Sequence, residues 1–294
     1  MSRIAIAGLQ LEGPNGDNLA HMEAEIDSAM RRFPWLDMLV ASELNACGTD
    51  VRNAEPMPGP REQRFCGIAR RHGIWLVPGS MFEAADGVVY NTVPVISPQG
   101  EIVARYRKMF PWLPYEADTT PGDTPVVFDV PGVGCFGISN CYDIWFPETA
   151  RALSSLGAEV ILHPSLTSTI DRQAEHNIIC ATAAMHQCYV FDVNLGPSVG
   201  CGQSMMAGPG GEVLYSAGRG REVIPLRLDL DYVRDVRKNG WNGLSQNLKA
   251  FRDSKVPFAS YNNGAATDYL NSLGPLEMPT RPTQSNTDFP QRDN

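Results

Sequence analysis

Short apolar runs alternate along this chain with longer amphipathic stretches, and that alternation restricts it to a mixed α/β fold. Arg3–Gln10 (RIAIAGLQ) has the texture of a buried strand. Asp17–Phe33 follows with Leu19, Met22, Ile26 and Met30 three to four residues apart, the spacing of a core-facing helix, and with Asp17 as a cap. Asp37–Ser42 predicts the next strand, residues 61–72 a second helix and Ile74–Ser80 a third strand. Val88–Ser97 and Glu101–Tyr106 read as two strands joined by the turn formers SPQG, so hairpin pairing stands beside strand–helix–strand crossovers and the sheet is expected to be mixed.

The second half repeats the theme: strand Val133–Ser139, a helix from Trp145 to Leu156, strand Glu159–His163, helix Asp171–Gln187 and strand Tyr189–Asn194, then a hairpin series. There GPGGEVL answers the earlier SPQGEIV, a short likeness between the halves that turn chemistry alone is able to produce. Residues 1–261 are read as one domain; from residue 262 the chain loses periodicity and gains Pro, Asn, Thr and Asp, the texture of a C-terminal tail or oligomerisation arm.

Charge and cysteine usage remove several function classes. With 24 Lys and Arg against 33 Asp and Glu, the net charge of -9 offers no overall attraction to nucleic acid or anionic lipid. Neither a signal-peptide pattern nor a membrane-length apolar run is present, so a cytoplasmic protein is expected. The 7 cysteines are scattered without paired spacing, which points to neither a disulfide framework nor a metal centre.

Chemistry is readable at the predicted strand ends. Cys141 lies between a strand and a helix whose first turn contains Pro147 and Glu148, where a thiol is exposed and helical N–H groups favour thiolate. A free cysteine is more often a small core residue. Glu43 closes the apolar run LVASE and Lys108 follows EIVARYR, at the sheet edge where open α/β folds collect ligands. Each alone fits a solvated surface charge. Glu116, in the loop PWLPYEADTTPG, is anonymous by itself.

Taken together, LVASELNACG, YRKMF and NCYDIWFPE resemble the nitrilase superfamily of carbon–nitrogen hydrolases, whose members share a Glu–Lys–Cys triad in this chain order. YRKMFPWLPYEADTTPG and DVRKNGWNGLSQNLKAF are similar to the aliphatic amidase and formamidase branch, in which a second catalytic Glu follows the Lys. The resemblance implies a four-layer α-β-β-α sandwich with two mixed sheets, no cofactor or metal, and at least a homodimer. It also implies Glu43, Lys108, Cys141 and Glu116 as catalytic residues, with Glu116 orienting the amide or holding Lys108. Two features depart from close relatives. Tyr142-Asp143 stands where nitrile-hydrolysing members show Trp-Glu, and Trp145 stands where members acting on carboxylate-bearing substrates often show Arg.

The implied reaction is hydrolysis of a small non-peptide amide through a Cys141 thioester, with Glu43 moving the proton and Lys108 plus the Tyr142 N–H holding the oxyanion. WFPE resembles carbamoylputrescine-type hydrolases, which keeps a ureido substrate open beside a nitrile. Trp112, Tyr115, Tyr142, Trp145 and His163 are the candidate pocket residues. Two competing readings are a Cys141–His163 dyad of the papain kind and a silent relative serving as a binding module.

Overall fold

Along strand β1 (Arg3–Gln10), Ile4 and Ile6 face one core while Ala5, Ala7 and Leu9 face another, so this strand is covered on both sides. The computed structural model describes residues 2–258 and 268–278 and shows what covers it. The first half runs α1 (Leu19–Arg32), β2 (Met38–Ala41), α2 (Pro60–His72), β3 (Trp75–Val77), β4 (Met81–Ala85), β5 (Val88–Ile96) and β6 (Ile102–Arg107). The second runs β7 (Val126–Val130), β8 (Gly134–Ile138), α3 (Pro147–Ser155), β9 (Val160–Ser165), α4 (Arg172–His186), β10 (Tyr189–Asn194), β11 (Met205–Ala207), β12 (Val213–Ser216) and β13 (Glu222–Asp229). Helices α5 (Leu230–Asn239), α6 (Asn247–Asp253) and α7 (Asp268–Ser272) follow.

Two mixed sheets result. The first has seven strands in the order β13-β1-β2-β3-β5-β4, with β6 also paired to β5; the second has six, in the order β12-β11-β10-β9-β8-β7. Ile6, Val40, Val95, Phe136, Leu162 and Phe191 fill the space between the sheets. Helices α1 and α2 bury Met22, Ile26, Phe65 and Ile68 on the outside of the first sheet, and α3 and α4 bury Leu153 and Ile179 on the outside of the second. The layers are therefore α-β-β-α, as the resemblance implied.

The hairpins explain the internal likeness. SPQG joins antiparallel β5 and β6 in the first sheet, and GPGGE joins antiparallel β11 and β12 in the second. Three readings are corrected. Strands β4 and β7 were not expected, because both are short and follow segments rich in turn formers. The helix expected from Trp145 to Leu156 starts two residues later, as α3 at Pro147, and Cys141–Trp145 forms a separate 3₁₀ turn ahead of it. Pro147 forces this break: it disfavours helical geometry at Phe146, which is extended (φ -108, ψ 106). At α1 the cap position is Asn18, although Asp17 still accepts from the Leu19 N–H at 3.2 Å. The tail expected from residue 262 lies largely outside the described residues; within it α7 is a five-residue helix. No described helix is long and apolar enough to cross a membrane.

Candidate active site

Strand ends from both sheets open into one cavity of about 450 Å³, and Glu43, Lys108, Glu116 and Cys141 all line it. Glu43 follows β2, Lys108 follows β6 and Cys141 follows β8, so strands separated in sequence deliver three functional groups to one place. Four of the five expected pocket residues, Trp112, Tyr115, Tyr142 and Trp145, line the same cavity.

Lys108 is buried with its Nζ 2.9 Å from Glu43 Oε1 and 2.7 Å from Glu116 Oε2. Burial disfavours its ammonium, but the Glu43 and Glu116 carboxylates offset that, and its pKa is held well above the ordinary lysine value. Lys108 is therefore a fixed positive charge, and Glu116 is a clamp on it. The Trp112 N–H also donates to Glu116 Oε2, which seats the carboxylate at the start of its loop.

Glu43 is equally constrained. Its Oε1 accepts from Lys108, from Asn91 Nδ2 at 2.8 Å and from Asn140 Nδ2 at 3.0 Å. These donors converge on one oxygen, which leaves Oε2 as the oxygen open to a proton. Asn91 and Asn140 were not singled out from the sequence. The available signal was weak: Asn91 is a buried amide in the apolar strand VVYNTVPVI.

Cys141 sits on a backbone in the left-handed region, φ 50, which is uncommon for a residue with a side chain and marks a turn over-determined by its surroundings. Asp143 supplies much of that determination. Its carboxylate accepts from the Asn140 N–H at 2.8 Å, the Tyr106 hydroxyl at 2.6 Å and the Phe110 N–H at 2.9 Å. It thus locks the cysteine turn to the lysine loop. Burial pushes the Asp143 carboxyl up to about 6 despite these donors.

The expectation of a thiolate is corrected. Burial, followed by the Glu43 carboxylate, pushes the Cys141 thiol well above its usual value, and Lys108 offsets this only in part. The thiol is a neutral donor whose partner is the Leu166 carbonyl at 3.8 Å. A 3₁₀ turn rather than a full helix follows it, so the aligned helical dipole assumed from the sequence is weak there.

His163 is not among the residues lining the cavity. It is buried in β9, with Nδ1 3.0 Å from Ser139 Oγ and Nε2 3.9 Å from Asp192. Burial lowers its pKa to about 4, so it is neutral at physiological pH. The ring is engaged by Ser139 and Asp192 instead of the thiol, which removes the geometric basis for a Cys–His dyad. Behind the cavity, Arg172 joins Asp192 and Glu175, and Glu175 reaches the cavity wall beside Trp145.

These layers and strand-end groups place the chain in the class of α-β-β-α sandwich hydrolases. It belongs to the carbon-nitrogen hydrolase family, whose model matches residues 3–238. The (R)-stereoselective amidase of a Pseudomonas species is 31% identical over 241 residues, covering 79% of this chain and 87% of that protein. The omega-amidase NIT2 of Xenopus tropicalis is 30% identical over 200 residues, covering 63% of this chain and 72% of that protein. Among solved structures, Saccharomyces cerevisiae Nit3, a member of branch 10 of the nitrilase superfamily, superimposes with a TM-score of 0.74 at 25% identity, covering 81% of this chain and 94% of Nit3.

Proposed function

We propose that this enzyme hydrolyses a small non-peptide amide to a carboxylic acid and ammonia, with Cys141 as nucleophile. The observation that carries the reading is the Glu43–Lys108–Glu116 cluster, an immobilised ammonium between two carboxylates beside the half-buried Cys141 thiol that lines the same cavity. The amidase relatives support it.

The residues supply each step. As the Cys141 sulfur bonds to the amide carbon, Glu43 takes the thiol proton, so no free thiolate need accumulate. Negative charge that develops on the carbonyl oxygen is held by the Lys108 ammonium and the Tyr142 N–H. Glu43 returns the proton to nitrogen, the C–N bond breaks and ammonia leaves a thioester. Glu43 then deprotonates a water that attacks the thioester carbon, and the C–S bond breaks to release the acid and restore the thiol. Glu116 keeps Lys108 in position throughout.

Ammonia release from a panel of short amides, matched nitriles and ureido compounds tests the reading, with Cys141→Ala as blank. Amides should be turned over and nitriles should not. A panel dominated by nitriles or ureido compounds, or release that persists in Cys141→Ala, contradicts it.

A further inference from the structure

The cavity lining includes an acidic residue that the reaction above does not use. Glu175, on α4, is almost wholly buried; its Oε1 accepts from Thr167 Oγ1 at 2.9 Å and from Trp145 Nε1 at 3.4 Å, and its Oε2 accepts from Arg172 Nη1 at 3.0 Å. Arg172 is shared. Its Nη2 donates to Asp192 and to the Gln203 carbonyl, so one buried guanidinium faces two carboxylates. His163 adds no charge, being neutral above a pKa of about 4. Burial, outweighing Arg172, raises the Glu175 carboxyl above its ordinary value, as befits an acid with an incomplete counter-charge.

The lysine cluster has the same imbalance, because Lys108 is the one cationic lining residue of the cavity among the described residues and is held between Glu43 and Glu116. Asp118 and Asp171 also line the cavity, and neither has a cation within ion-pair distance among the described residues. Trp112, Tyr115, Tyr142 and Trp145 line the same cavity and supply its aromatic surface. Ring faces and uncompensated carboxylates together suit an ammonium or guanidinium and repel a carboxylate.

We propose that Glu175 is a specificity-determining residue that selects amides whose far end bears a positive charge. This rests on the amidase reading and names its substrate class. An ω-amino amide completes the counter-charge of the buried cluster and stacks its chain against Trp145. An ω-carboxylate amide finds no free cation and is desolvated beside like charge. A purely structural Glu175, tying α4 to Thr167 and Trp145, would leave this discrimination unmoved.

The test is kcat/KM for ω-amino amides of four, five and six carbons, beside the matched neutral and ω-carboxylate amides, in wild type and in Glu175→Gln. In wild type the best ω-amino amide should exceed its neutral match by about tenfold or more, expressed mainly in KM, with the carboxylate amides poorest. In Glu175→Gln that ratio should fall below about threefold, and the pH profile of Cys141 alkylation should move to lower pH because a negative neighbour is gone. Should that variant not fold, Glu175→Asp keeps the charge but withdraws it by a methylene, and the preferred amide should lengthen by one carbon. Neutral amides turned over as fast as ω-amino amides, a preference intact in folded Glu175→Gln, or an unchanged length optimum in Glu175→Asp overturns this inference and leaves the amidase reading standing. No turnover of any amide overturns both.

Discussion

Two buried ionic clusters flank Cys141 with the same composition, one cation against two carboxylates, yet their surroundings differ. Glu43, Lys108 and Glu116 all line the cavity, and Glu43 reserves one oxygen there. Arg172, Asp192 and Glu175 lie mostly behind it; Asp192 is further tied to the Ser165 hydroxyl at 2.8 Å and the Met205 N–H at 3.1 Å. The residue types follow this division. A lysine presents one compact charge to a developing oxyanion, whereas an arginine fork joins α4 to β10 and to the loop before β11. Access to the cavity, more than charge content, separates the chemical cluster from the supporting one.

The largest effect that tests this contrast comes from the supporting cluster. Arg172→Met leaves two buried carboxylates without their cation and should cost about 3–5 kcal/mol of stability. Denaturant unfolding measures it; a loss below about 1 kcal/mol would mean the cluster is not the support described here. Lys108→Met should instead act on turnover, lowering kcat by about 10²–10³ with a smaller change in KM, because its charge matters most in the transition state. Glu116→Gln removes the clamp's ionisation but keeps its shape, so its kcat should fall by less than that of Lys108→Met. Equal kcat losses in Lys108→Met and Arg172→Met, each measured on folded protein, would erase the distinction between the clusters.

A smaller effect concerns the thiol that both clusters face. The Cys141 pKa is raised above its usual 9.0, so iodoacetamide inactivation should be slow at neutral pH and climb as pH rises through that value. The sign is fixed by charge: alkylation needs thiolate, and both burial and Glu43 oppose it. Fast inactivation with a plateau below pH about 8 would show a thiolate already stabilised in the free enzyme.

Legibility in the sequence follows the same contrast. Strand ends alone left Glu43, Lys108 and Cys141 as weak candidates; the family resemblance of the motifs around them made them legible together with Glu116, and the structure brings the four to one cavity. The supporting residues were not legible. Asn91 lies inside a strand and Asn140 beside the cysteine, while Arg172 and Glu175 share α4 and their joining to Asp192 depends on how α4 settles over β10. His163 was assigned to the pocket because it sits in β9, but no periodicity told whether its ring would face the cavity or, as found, meet Ser139 and Asp192. The layer order came from the family resemblance, since strand and helix periods specify neighbours along the chain and leave the packing of one sheet on another open.

The central claim is a covalent route through one cysteine among seven. Wild-type enzyme mixed with a turned-over amide, quenched in acid within one turnover and digested for mass spectrometry, tests it most directly. The account predicts the acyl group as a thioester on the peptide containing Cys141, decaying on the timescale of turnover. No adduct at Cys141 despite a burst of ammonia, or an acyl group found on another cysteine, would contradict it.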